Sequence, residues 1–178
     1  MALVSYIDPQ NANADVKKIY DQKLKGKPGN IQKALAHRPE LLDNFLMFYT
    51  SVGKSLDKRL YELIYLRVST INNCNYCLHH HMASSKRAGL TQEDWQALKN
   101  PESSSKFSDA EKTALRYAEK ITRGPTNSAS AEANALKKYF SEEQVVDIIS
   151  EVALVNLTNR ITDGLALEIE DEVRAQVA

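Results

Sequence analysis

The sequence predicts an all-α protein, a single helical domain with a CxxC pair at the start of a central helix. Three observations carry that expectation. The 178 residues hold only six glycines and five prolines, and the mix is rich in alanine, leucine, glutamate and lysine, the strong helix formers. Apolar residues recur at helical spacing in segment after segment, with no confident strand alternation. Helix-capping signals separate those segments, Ser108 with Glu111 and Ser141 with Gln144 being full capping boxes.

The elements follow in order. Residues 1–15 are mixed and polar and read as an extended lead-in. Asp15 caps a short helix carrying Val16, Ile19, Tyr20 and Leu24, which the run Lys25 to Asn30 stops. Ile31 to Ala36 form a second short helix. Pro39 suits the first turn of a third, with Leu41, Leu42, Phe45, Leu46, Phe48 and Tyr49 on a broad apolar face up to Val52. Gly53 and Ser55 break it, and Ser55 is placed as the cap of a helix from Leu56 to Ser69. Asn72 and Asn73 suit a tight turn or cap. The next helix runs from near Cys74 to Ala88, with Gly89 as its C′ residue. A short helix at 92–99, a serine-rich loop at 100–106 and a helix opened by Ser108 follow. Gly124-Pro125 closes that helix. Another starts at Ser128 or Ser130 and ends near Tyr139-Phe140. The longest helix opens at Ser141 and ends or bends at Gly164, and an amphipathic piece spans Ala166 to Val173.

The charge is balanced, 23 basic against 23 acidic residues. Composition therefore gives no broad electrostatic reason to expect a nucleic-acid partner. The apolar runs are too short for a membrane span, and the N-terminus lacks a basic start followed by an apolar core. The expected location is the cytoplasm. Two cysteines three apart in such a setting are not a structural staple; they point to a redox dithiol or part of a metal site.

Both cysteines and three of the four histidines fall between Glu62 and His81. Cys74, Cys77 and His81 share one face of a helix. Cys77 and His81, four apart, are placed for proton exchange. Cys74 occupies the first turn, where free N–H groups and the helix dipole lower a thiol pKa. If the helix carrying Glu62 packs antiparallel to the next, Glu62 returns beside His81 as the third member of a relay. His80 flanks this pocket and Tyr76 lines a neighbouring wall, both as auxiliary candidates. His79 points away, and His37 is a helix-entry residue. The same registry also permits Cys74, Cys77 and His81 as three metal ligands, although no second CxxC completes a closed zinc site. No metal and no cofactor are expected. The helix-end argument favours Cys74 as the more acidic thiol, and the histidine argument favours Cys77.

The spacing E-x11-C-x2-C-x3-H, met by Glu62, Cys74, Cys77 and His81, resembles the alkyl hydroperoxidase D (AhpD) branch of the carboxymuconolactone decarboxylase-like superfamily. His37 to Leu41, Leu56-Asp57, Ala88-Gly89-Leu90, Phe107 to Glu111 and Asn159-Arg160 are similar to the same family, in its peroxidase-related members. The resemblance covers residues 35–168, set between an N-terminal extension (1–34) with short helices and a C-terminal tail (169–178). It implies a thiol-dependent peroxidase in antioxidant defence. Cys77 would attack a hydroperoxide, Cys74 would resolve the sulfenic acid to a disulfide, and His81 with Glu62 would activate Cys77. Members of the family known best carry a histidine inside the CxxC; here Asn75 and Tyr76 stand there, so the proton route differs. The resemblance further implies an external dithiol donor, lipoyl-bearing or thioredoxin-like, and a homo-oligomer, trimer or hexamer. Three other functions are compatible with parts of the pattern: a general dithiol–disulfide oxidoreductase or redox sensor, a carboxymuconolactone-type decarboxylase, and a metal-binding structural protein.

Overall fold

The computed structural model describes residues 1–177. Ten α-helices follow one another: α1 (Ala14–Leu24), α2 (Asn30–Leu35), α3 (Pro39–Ser51), α4 (Lys58–Ile71), α5 (Asn75–Arg87), α6 (Gln92–Ala97), α7 (Asp109–Arg123), α8 (Ser130–Leu136), α9 (Glu142–Gly164) and α10 (Asp171–Val177). Short 3-10 turns at Pro9–Asn11, Pro101–Ser103 and Thr126–Ala129 complete the chain, and no strand occurs among the described residues. The all-α expectation holds.

The centre of the fold is α4. It packs against α5, α7 and α9, and every residue from Glu62 to Ser69 is buried. A helix covered on all sides cannot show a one-faced pattern, and α4 accordingly buries Glu62 and Arg67 beside Leu63, Ile64 and Val68. Arg67 reaches the Leu98 carbonyl and the Glu119 carboxylate, which satisfies a charge that would otherwise be costly to bury. One core cluster joins α1 to α5 with α7, α8 and α9. A smaller one, with Leu63, Leu66, Leu90, Leu98, Phe107 and Leu115, fills the space beneath α6.

Several boundaries shift by a few residues, each for a local reason. Asn13, not Asp15, caps α1, accepting from the Val16 N–H at 3.0 Å. Asp57, not Ser55, caps α4, accepting from the Leu60 N–H at 2.9 Å. The Ser55 hydroxyl is taken by Asp147 of α9 at 2.6 Å, and Asp147 also accepts from the Gly53 N–H at 3.0 Å. This clamp fixes the α3–α4 turn. Gly53 sits there at φ +77°, and a Cβ on it would lie 2.5 Å from the Tyr61 ring, so both backbone and space demand glycine. The final amphipathic piece starts later than expected. Gly164 ends α9, Ala166 adopts φ +50°, and 167–170 form no regular element before α10. Residue 178, the end of the expected tail, lies outside the described residues. His37 holds the N-terminal lead-in, its Nε2 2.9 Å from the Ser5 carbonyl oxygen.

Candidate active site

The site is built where α4 turns back into α5. Asn73 takes a left-handed conformation at φ +54°, which asparagine tolerates better than most residues. The Asn72 amide donates to Asn156 and Asn159 of α9, at 3.1 and 2.9 Å. The turn is thereby tied to a third helix, and α5 leaves antiparallel to α4.

Cys74 is the N-cap of α5. Its sulfur accepts from the Cys77 N–H at 3.4 Å and lies 3.2 Å from the Thr162 hydroxyl. Cys77, one turn on, lies 3.6 Å from the same hydroxyl. Both thiols are free and buried. The hydrogen bond from the Cys77 thiol, then those from Thr162 and the Cys77 N–H, push Cys74 down to about 6 against its burial. Cys77 moves up, because it donates to Cys74 and is itself buried. Cys74 is thus the acidic member of the pair, as its helix-end position requires.

His81 lies one turn beyond Cys77. Its Nδ1 is 2.9 Å from Glu62 Oε2, and the Ser84 hydroxyl donates to Glu62 Oε1 at 2.6 Å. The antiparallel return therefore brings Glu62 to His81. With a carboxylate at Nδ1, the neutral ring carries its proton there and leaves Nε2 bare. Burial pulls the imidazole pKa below its ordinary value, against the Glu62 hydrogen bond. Nε2 faces the Tyr49 hydroxyl of α3 at 3.3 Å, and the ring stacks on Tyr65 at 3.3 Å. No hydrogen bond joins His81 to either sulfur among the described residues.

A cavity of about 580 Å³ opens onto these groups. Cys77, Glu62, His81, Tyr49, Tyr61 and Tyr65 line it, whereas Cys74 stays behind Cys77. At its rim the auxiliary candidates meet each other. The Tyr76 and His80 rings are 4.5 Å apart, and both reach Glu170, at 3.0 and 2.8 Å. Burial opposes the charge on Glu170, but bonds from His80 and the Asn30 N–H hold it down at about 2. Tyr76 thus fastens the α2 and C-terminal segments over the cavity. His79 stays apart, its Nδ1 turned to the Asn75 carbonyl at 2.8 Å. No cluster of three His, Cys, Asp or Glu side chains forms a metal cage among the described residues.

Sequence reasoning passed over Tyr49, Thr158, Thr162, Glu151 and Glu170. Tyr49 read as one more apolar position of α3. A signal did exist for three of the others: Glu151, Thr158 and Thr162 form a polar stripe at helical spacing inside apolar α9. Tyr65 shares a 2.9 Å hydrogen bond with Thr158. Glu151 is completely buried, and neither carboxyl oxygen has a partner among the described residues. Burial, then the charges of Glu62 and Asp147, raise it well above the ordinary carboxylate range. It is held as the neutral acid, which spares Glu62 a like charge.

This gives a stability prediction. A raised carboxyl pKa contributes fully below the unfolded-state value, about 4.3, and its contribution is lost as pH rises toward the folded-state value. Glu151→Gln keeps the shape and carries no titrating proton. Its stability relative to the wild type should grow with pH by up to about 1.4 kcal/mol per unit above that point. Urea midpoints of both proteins across the pH range check this, and parallel curves would show an ionised Glu151.

Fold and site together define the AhpD-like class, helical proteins of oxidoreductase type built around a CxxC helix. The comparisons agree. The chain matches the Carboxymuconolactone decarboxylase family over residues 39–120. It is 30% identical to the uncharacterized protein YdfG of Bacillus subtilis (strain 168) over 109 residues, 61% of this chain and 74% of YdfG. An uncharacterized peroxidase-related protein from Silicibacter sp. TM1040 superposes with a TM-score of 0.76 at 28% identity, over 90% of this chain and 86% of that one. The alkylhydroperoxidase AhpD core protein from Ralstonia eutropha JMP134 gives 0.81 at 22% identity, over 97% and 94%. The debrominase Bmp8 shares the fold at 0.77 and 21% identity, over 92% and 90%. The chain belongs to the carboxymuconolactone decarboxylase family, in its AhpD-like branch.

Proposed function

We propose that this protein is a thiol-dependent peroxidase that reduces alkyl hydroperoxides in antioxidant defence. One observation carries the proposal: Cys77 faces a cavity shared with the Glu62–His81 pair, while the more acidic Cys74 stands directly behind it. Cys77 gives up its proton and attacks the terminal oxygen of the hydroperoxide. The S–O bond forms, the O–O bond breaks, and the alkoxide leaves with the electron pair and takes up a proton. The Cys74 thiolate then attacks the sulfenic sulfur, forming the disulfide and releasing hydroxide, which is protonated to water. Thr162, within reach of both sulfurs, can turn its hydroxyl proton from the Thr158 and Asn159 carbonyls to whichever sulfur carries charge.

An external dithiol closes the cycle, from a lipoyl-bearing or thioredoxin-like protein. A dithiol that must return to the reduced state suits the cytoplasm. No helix among the described residues is long and apolar enough to cross a membrane. Exposed Leu41, Met47 and Phe48 on α3 with Val146, Ile149 and Leu157 on α9 support a homo-oligomer, a trimer or hexamer. The decarboxylase reading leaves the dithiol without a role. A general dithiol–disulfide oxidoreductase would use the same thiols, and peroxide kinetics separate it.

The test is thiol counting. Stoichiometric tert-butyl hydroperoxide should remove both free thiols per chain with formation of an intramolecular disulfide, and a dithiol should restore them. Thiols that persist in peroxide, yet exchange readily with disulfides, would replace the peroxidase by the general oxidoreductase.

A further inference from the structure

The peroxidase reading leaves one step without a donor: the alkoxide that leaves must be protonated, and the CxxC holds Asn75 and Tyr76 where relatives known best carry a histidine. Tyr76 cannot serve, because its hydroxyl is taken up by Glu170 and the Ile31 N–H at the rim. We infer that Tyr49 is the general acid of the site, handing its hydroxyl proton to the leaving oxygen and recovering it from His81.

The argument starts from hydrogen-bond direction. In the resting site Glu62 holds the ring proton at Nδ1, so Nε2 accepts from the Tyr49 hydroxyl. The phenolic proton is then turned away from the cavity. When Cys77 loses its proton and Nε2 takes one up across the cavity that both residues line, the ring becomes an imidazolium, stabilised by Glu62. The bond to Tyr49 must now reverse, because Nε2 has become a donor. Its N–H points at the phenol oxygen, and the hydroxyl proton is freed toward the cavity that Cys77 also lines. The acid is therefore armed by the same proton transfer that makes the nucleophile.

The later steps balance. The Cys77 sulfur takes the terminal oxygen, the O–O bond breaks, and its electron pair goes to the alkoxide. Tyr49 gives that oxygen its proton as Nε2 gives its own to Tyr49. The ring returns to the neutral Nδ1–H form, and the products are a sulfenic acid and an alcohol. Burial raises the Tyr49 phenol to about 12, so the proton is in place at neutral pH and leaves only for a strong base such as an alkoxide. The ring is held by packing on Phe45 one turn earlier, at 5.7 Å.

The proposal rests on the peroxidase reading, and one experiment separates the two. Wild type and Tyr49→Phe are each oxidised in single turnover by tert-butyl hydroperoxide and by peroxyacetic acid. The first expels an alkoxide that needs a proton; the second expels a carboxylate that does not. Tyr49→Phe should slow about 100-fold with the alkyl hydroperoxide and keep near wild-type rates with the peracid, which also shows that the variant is folded. An equal loss with both peroxides would assign Tyr49 to the shape of the site or to thiol activation, and no loss with either would leave it a packing residue; each overturns the proposal. A wild type inert to both would remove the peroxidase reading and this role with it, while a wild type that reacts keeps the reading whatever Tyr49→Phe does.

Discussion

On the proposed peroxidase function, Cys77→Ser should lower peroxide turnover about a thousand-fold or more, while Cys74→Ser should consume one equivalent and stop. The asymmetry follows from where the two sulfurs stand. Cys77 lines the cavity, and Cys74 does not. A serine hydroxyl at 77 stays protonated and attacks peroxide oxygen poorly, so nothing in the cavity replaces the thiolate. At 74 a serine leaves the first attack intact but cannot resolve the sulfenic acid. That acid should accumulate on Cys77 and be trapped by dimedone. The low pH step belongs to Cys74, whose thiol is pushed down to about 6. The ultraviolet thiolate signal should rise through that pH in the wild type and be absent there in Cys74→Ser. A one-equivalent reaction by Cys77→Ser, with none by Cys74→Ser, would exchange the two roles.

Glu62→Gln should slow the peroxide reaction by about 10²- to 10⁴-fold with little change in fold. The carboxylate does more than pair with a charge: it decides which ring nitrogen carries the proton. A glutamine can turn its NH₂ toward Nδ1, which must then accept, and the proton moves to Nε2. The base toward Tyr49 and the cavity is lost, although every heavy atom stays near its place. The Ser84 hydroxyl, now 2.6 Å from Glu62 Oε1, keeps a partner in the glutamine carbonyl. The loss should therefore lie in the rate of thiol oxidation, with the melting temperature close to the wild type. Unchanged oxidation rates in a variant whose ring proton is shown by NMR to have moved to Nε2 would remove His81 from the proton path.

The helices were legible because their signals are local. Capping boxes at Ser108 and Ser141 are formed as the spacing requires. The register of Cys74, Cys77 and His81 on one helix is likewise a consequence of chain geometry. Ser55 misled for a physical reason: its hydroxyl has a better partner in Asp147, 92 residues away, and no local pattern contains that competitor. The C-terminal piece misled similarly, since Ala166 takes a left-handed turn without a glycine to announce it.

Local pattern is enough to show that the protein is helical, that it carries a dithiol at a helix start, and that a histidine follows in register. Each of these depends on residues within one or two turns. Helix packing is what leaves Glu151 without a partner among the described residues, turns one thiol to the cavity and sets what touches Nε2. Glu62 and Glu151 are both acids on apolar helices, yet among the described residues one has two hydrogen-bond partners and the other has none. Tyr49 meets His81 from 32 positions away. Protonation depends on burial and on the sum of neighbouring partners, and those are assembled only when α3, α4, α5 and α9 close around one cavity.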